Sequence, residues 1–255
     1  MGALEATLRE KVAKGGKAFV PYVTGGFPGV DAGLLQSLQE LGADAIEIGI
    51  PHSDPVMDGG VIQEASRVAL ERGTHVTDVL AIVSEAHLDV PVTVMTYANP
   101  VERRGSEAFC DELVAAGVSG VIVPDLPVDE SGALESLAAP RGIDLVLLAA
   151  PGTSEGRHAR IAKASHGFVY CVATYGVTGA RDELAATARE VVGALRPHTD
   201  LPLLVGVGIA TPDQAREATA FADGAIVGSA LMSPLVAGDR NGVIVLARSF
   251  RSAIG

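Results

Sequence analysis

Two carboxylates in one short stretch of the sequence are placed for proton transfer. Glu47 lies in Asp44-Ala45-Ile46-Glu47-Ile48, an apolar, β-branched run that reads as a buried strand. Alternation along a strand sets Ala45, Glu47 and Gly49 on one face and Ile46 and Ile48 on the other. If the isoleucines meet a layer of helices, Glu47 points inward among small residues, and an apolar strand seldom keeps such a glutamate without purpose. The following loop, Pro51-His52-Ser53-Asp54-Pro55-Val56-Met57-Asp58-Gly59-Gly60, carries Asp58 ahead of a glycine pair. Two carboxylates in unlike surroundings hold protons with unlike affinity, which lets them divide acid and base roles. His52 with two acids could also suggest a metal. Hard-cation cages draw more oxygens than this loop offers, so His52 is read as a loop-filling residue and no metal site is expected.

A second kind of chemistry is written in glycines. Gly176-Val177-Thr178-Gly179, Gly206-Val207-Gly208-Ile209 and Gly228-Ser229-Ala230 each follow an apolar run late in the chain. Backbone amides in such turns, with the start of a helix, can hold one phosphate without a basic side chain. A dinucleotide reading of Gly206-Val207-Gly208 lacks the third glycine and comes too late in the chain.

Something must carry these loops. Short apolar runs at 18–24, 44–48, 92–97, 120–123, 145–149, 168–172, 203–207 and 224–227 predict eight strands. Between them lie helical stripes: Leu34, Leu35, Leu38 and Leu41 after Asp31; Phe109, Leu113 and Ala116 after Ser106; Leu184, Ala188, Val191, Val192 and Leu195. Thr211-Pro212-Asp213-Gln214 predicts a helix start with a capping box and Pro at the first helical position. Strands alternating with helices, without a linker-like break, predict a single (β/α)8 TIM barrel over residues 1–255, with a helix in 1–16 covering it. A doubly wound open sheet shares the local pattern. In a barrel, Glu47, Asp58 and the turns after strands seven and eight all meet at the C-terminal mouth.

Composition narrows the function classes. Nineteen Lys and Arg stand against 31 Asp and Glu, a formal net charge of −12, with no basic cluster. Nucleic acid and anionic membrane are therefore not expected as partners. Cys110 and Cys171 are far apart and in no metal or redox spacing, which suits a reducing compartment. The first residues lack a signal peptide's apolar core and no run is long enough to span a bilayer, so the expected location is cytoplasmic. No Lys falls at a strand C-terminus, which argues against Schiff-base chemistry.

The segment Glu47-Ile48-Gly49-Ile50-Pro51-His52-Ser53-Asp54-Pro55, continuing through Asp58-Gly59 and Ile62-Gln63, resembles the signature of tryptophan synthase alpha chains. Tyr97-Ala98-Asn99-Pro100, Asp125-Leu126-Pro127-Val128-Asp129-Glu130-Ser131 and the three glycine turns follow in that family's order, and the likeness begins at Phe19-Val20-Pro21-Tyr22-Val23-Thr24. The resemblance implies retro-aldol cleavage of indole-3-glycerol phosphate to indole and glyceraldehyde 3-phosphate. It implies that Glu47 is the general acid and base and that Asp58 meets the indole N–H. Tyr22, Tyr97 and Tyr170 would line the indole and glycerol pocket, and Thr178 would sit in a closing loop. Gly179, Gly208, Gly228 and Ser229 would cradle the phosphate. No cofactor is implied in this chain; pyridoxal phosphate is expected in a beta chain that receives the indole, in an α2β2 assembly. A stand-alone lyase releasing free indole would use the same residues, and a catalytically dead barrel would have little reason to keep Glu47 and Asp58 together. The chain departs from the family pattern at Phe27, at His52 where Phe is usual, at Gly60 and Val61, and at Tyr22 where Phe is common.

Overall fold

A strand buried on both faces must find hydrogen-bond partners on both edges, and eight parallel strands can do so without exception by closing on themselves. The strands here do close, in the order β1-β2-β3-β4-β5-β6-β7-β8 with β8 returning to β1, every pairing parallel. A computed structural model of the chain describes residues 1–173 and 185–255 in full and residues 181–184 by backbone alone. In chain order the elements begin α1 (Ala3–Ala13), β1 (Ala18–Thr24), α2 (Ala32–Glu40), β2 (Ile46–Gly49), α3 (Gly60–Glu71), α4 (Val76–Ala86) and β3 (Val92–Met95). Next come α5 (Ala98–Arg104), α6 (Ser106–Ala115), β4 (Gly120–Ile122), α7 (Gly132–Ala138), β5 (Asp144–Ala149), α8 (Glu155–Ala164) and β6 (Val169–Val172). The chain ends with α9 (Arg181–Leu195), β7 (Leu203–Gly206), α10 (Pro212–Thr219), β8 (Gly224–Val227), α11 (Ser229–Val236) and α12 (Arg240–Ile254). The TIM barrel is therefore the observed fold, and the open sheet is excluded by the β1–β8 pairing.

Strand alternation sorts the apolar residues into two separate cores. Ile46, Ile48, Val94, Val121 and Leu145 face outward into the layer between barrel and helices, where Leu34, Leu35 and Leu38 of α2 and Phe109 and Leu113 of α6 meet them. Ala18, Val20, Ala45, Ile122, Val146, Phe168, Leu204 and Ile226 face inward and fill the barrel. Leu4 and Leu8 of α1 belong to that inner core, so α1 plugs the N-terminal end.

Local signals placed the helix starts. Asp31 accepts the Leu34 N–H at 2.9 Å and opens α2. At α10, Thr211 accepts from Gln214 N while the Gln214 side chain accepts from Thr211 N, the reciprocal pair expected of a capping box. Three expectations shift. Asp44 is not in β2: its carboxylate leaves the strand to accept the Phe19 N–H and to pair with Lys11 and Arg251. Tyr97 is not in β3 but precedes α5, a short helix built from the Ala98-Asn99-Pro100 segment. Ser106 is the first residue of α6, with Gly105 in the capping position.

The plug is held by one buried carboxylate. Helix α1 starts at Gly2, which has no side chain to cap it, and Asp144 at the head of β5 does this from across the barrel. Its Oδ1 accepts Gly2 N–H at 3.2 Å and its Oδ2 accepts Glu5 N–H at 2.9 Å. Glu5, Asp144 and His166 also bring one ligand atom each within 4.8 Å, the group among the described residues with the spacing for a metal. Both Asp144 oxygens are already engaged by amides and Glu5 pairs with Arg9, so the cluster is accounted for as a helix cap. Asp144→Ala should lower unfolding stability by about 1–3 kcal/mol, the scale of orphaned buried donors, and Asp144→Asn should recover part of it. Urea denaturation monitored by circular dichroism reads both.

Candidate active site

At the C-terminal end of the strands the barrel opens into a cavity of about 450 Å³, and its walls hold most of the residues singled out above. Tyr22, Glu47, Asp58, Tyr170, Gly208, Gly228 and Ser229 all line it. Tyr97 lies one shell outside, against Asp58. Thr178 and Gly179, with the rest of Gly176-Val177-Thr178-Gly179, fall outside the described residues.

Glu47 points into the barrel as the alternation of β2 required. It is 1 % exposed, and its Oε2 is sealed from solvent with no hydrogen-bond partner. Burial, and then the nearby charge of Asp58, push its carboxyl up to about 8. Asp58 is brought to the same cavity by the loop after β2. Burial pushes it up to about 6, opposed by the Tyr97 hydroxyl, which donates to Asp58 Oδ2 at 3.2 Å. The Tyr97 oxygen also accepts the Met57 N–H at 3.1 Å, so one hydroxyl ties the loop backbone and the carboxylate to the start of α5. His52 stacks flat on Tyr97, ring centroids 4.6 Å apart and planes 16° from parallel.

The two inner tyrosines are seated by missing side chains. A Cβ on Gly49 of β2 would lie 2.1 Å from the Tyr22 hydroxyl, and one on Gly206 of β7 would lie 2.2 Å from the Tyr170 hydroxyl. Each tyrosine on β1 or β6 thus lies over a glycine of the next strand. Burial keeps both hydroxyls protonated well beyond the ordinary tyrosine range. The Tyr22 hydroxyl lies 3.3 Å from Thr24 Oγ1.

The far wall is backbone. Val207, β-branched, is held at φ 63°, a left-handed conformation such residues rarely adopt, and Gly208 follows at φ 97°. Strain of this kind gathers where a loop must aim its amides at a ligand. Gly228 and Ser229 open α11, whose positive end they carry; the Leu231 and Met232 amides turn to the Gly228 carbonyl, and the amides before them have no carbonyl further back in the helix. An anion fits there without a cation.

The cavity is also lined by Ile62, Met95, Ile122, Leu148, Val172 and Ile226, none given a site role from sequence. The period-2 argument that turned Glu47 inward, applied to β4, β5, β6 and β8, would have found Ile122, Leu148, Val172 and Ile226. Ile62 comes from α3 and had no such signal.

A closed barrel that holds two proton-exchanging carboxylates beside an apolar slot and a backbone anion site is an enzyme of acid–base chemistry on a small anionic substrate. Comparison with known proteins makes it particular. A family model described as tryptophan synthase alpha chain matches residues 8–249. The tryptophan synthase alpha chain of Synechocystis sp. is 44% identical, over 93% of this chain and 92% of that one. That of Streptomyces avermitilis is 45% identical, over 90% of this chain and 84% of that one. A solved structure of Mycobacterium tuberculosis tryptophan synthase superposes with a TM-score of 0.91 at 37% identity, covering 99% of this chain and 98% of that chain. The chain belongs to the tryptophan synthase alpha chain family, carbon–carbon lyases that cleave indole-3-glycerol phosphate.

Two outcomes follow from the geometry alone. A group whose proton affinity is raised on folding contributes stability below its unfolded value and loses it as pH rises to the folded one. For Glu47 that window runs from 4.5 to about 8. Urea midpoints of the native chain should therefore fall relative to Glu47→Gln between about pH 5 and pH 8; parallel curves would exclude a raised Glu47. Gly49→Ala should be destabilising by about 1–3 kcal/mol through overpacking against Tyr22, and Tyr22→Phe should relieve part of it.

Proposed function

We propose that Glu47 carries both proton transfers of the cleavage, with Asp58 as the charge that makes the first one feasible. At pH 7, between about 6 and about 8, Glu47 is mainly protonated and Asp58 mainly ionised. Protonated Glu47 gives its proton to C3 of the indole ring, and the resulting cation is stabilised by Asp58 through the ring N–H. Glu47, now a carboxylate, takes the proton of the glycerol hydroxyl as the C–C bond breaks. Indole and glyceraldehyde 3-phosphate leave, and Glu47, which holds the proton taken from the hydroxyl, is ready for the next turn. The observation that carries this reading is the placement of two carboxyls in one cavity, one in a dry strand position and the other in a tyrosine-bonded loop position.

The remaining residues take positioning roles in the same reading. Tyr22, Tyr170 and the apolar wall hold the indole and glycerol portions, Tyr97 aims Asp58, and Gly208, Gly228 and Ser229 hold the phosphate. Thr178 and Gly179 are proposed to complete the closed site. Residues 1–255 would act as one unit, with α1 as the plug.

The reading extends to a beta chain, holding pyridoxal phosphate, as the receiver of indole in an α2β2 assembly. Val56, 66% exposed, lies in the same loop as Asp58 and lines the cavity, so a partner seated on that loop would act directly on Asp58. A cytoplasmic location suits the two unpaired, buried cysteines.

Indole release from indole-3-glycerol phosphate, with and without a beta chain, tests the function. Slow release that rises sharply with the partner is expected; fast release indifferent to it would instead establish a stand-alone lyase. Glu47→Gln should reduce kcat about a hundredfold to ten-thousandfold, and near-normal turnover would remove Glu47 from its role. The profile of kcat/KM against pH should be a bell. It should rise as Asp58 ionises through about 6 and fall as Glu47 loses its proton through about 8.

A further inference from the structure

Two sealed polar atoms lack hydrogen-bond partners, one of them on the cavity's Glu47, and they belong to register partners on neighbouring strands. Glu47 Oε2 and Thr93 Oγ1 are both buried and unpaired. Glu47 and Thr93 are direct register partners on β2 and β3. Both lie on the inner face, since Gly49 and Met95, two residues further along each strand, are again partners and Met95 lines the cavity. Thr93 is 0 % exposed, and its hydroxyl lies over Gly120 of β4, with Leu4 of the α1 plug closing the space around it.

Unpaired buried polar atoms are rare in folded proteins, and two of them on register partners of adjacent strands can satisfy each other. We propose that the Thr93 hydroxyl and the Glu47 carboxyl are hydrogen-bonded in the working protein, which makes Thr93 a positioning residue for the acid–base group. A χ1 step of Thr93 toward β2, or one water shared by the two oxygens, makes the link. With Oε2 accepting from Thr93, the acid proton resides on the other oxygen of Glu47, and the carboxyl's rotamer is fixed while it exchanges that proton.

The sign of the effect follows from hydrogen-bond strength. A hydroxyl donates more strongly to a carboxylate than to a carboxylic acid, so Thr93 favours the ionised form and offsets part of the burial effect. Among the described residues, the titratable groups facing Glu47 are Tyr22 from β1, Asp58 from the loop after β2 and Tyr170 from β6. Thr93→Val alters none of them, keeps the β-branched shape and deletes the hydroxyl. Thr93→Ser keeps the hydroxyl.

This inference rests on the reading of Glu47 as the acid–base group, so its first readout is independent of turnover. The Glu47 carboxyl is titrated by carbon-13 NMR of protein labelled at glutamate side chains, with Glu47→Gln identifying its signal. Thr93→Val should raise the midpoint by about one pH unit, a tenfold change in ionisation constant, and Thr93→Ser should stay near the native value. The alkaline limb of kcat/KM should move the same way. If Thr93→Val does not accumulate as folded protein, Thr93→Ala carries the same comparison. An unchanged midpoint in the hydroxyl-free variant overturns the link, whatever happens to activity. A shifted midpoint in a native chain that releases no indole supports the link and refutes the proposed function instead.

Discussion

The site depends on one constraint, that the interior of a closed parallel barrel is dry and must be filled by whatever its strands turn inward. A carboxyl forced into that interior loses its water and keeps its proton far above the usual carboxylate range. Glu47 occupies that position because β2 reads Ile-Glu-Ile-Gly, with its isoleucines committed to the helical layer. The same alternation that builds the outer core thus creates the acid. Asp58, a few residues later, escapes the strand and keeps a hydroxyl partner, so it ionises more readily. Two identical functional groups are raised unequally, Glu47 more than Asp58, by one strand and one loop.

Around that pair, shape is made by subtraction. Tyr22 and Tyr170 are large residues seated over glycines of neighbouring strands, and this arrangement leaves the centre open instead of packed. Elsewhere the barrel interior is filled by Phe168, Leu204, Val146 and the leucines of α1. The result is a molecule with two unlike ends. The N-terminal end is closed by apolar packing and by Asp144 capping α1, which serves stability. The C-terminal end is hollow, holds strained backbone at Val207, and carries the N-terminal end of α11.

Much of this was legible in the residues. The eight apolar runs gave eight strands, the Asp31 and Thr211 caps gave two helix starts, and alternation gave the direction of Glu47. Boundaries were less legible where a side chain found a better partner across the barrel. Asp44 leaves β2 for Lys11, Arg251 and the Phe19 amide, and no neighbour in sequence announces those partners. Tyr97 looked like strand because it is aromatic after an apolar run, whereas it turns out of β3 to reach Asp58.

The sequence by itself determined the periodicities, the caps, the glycines at the strand ends and the identity of the two carboxylates, because these depend on contacts within a few residues. Only the tertiary structure decided that Asp144 caps a helix more than a hundred residues away, that His52 stacks on Tyr97, and that Tyr22 and Tyr170 lie over Gly49 and Gly206. It also decided the protonation of Glu47 and Asp58. Proton affinity in a protein is set by how much water and which charges surround a group, and those surroundings exist only once the barrel has closed.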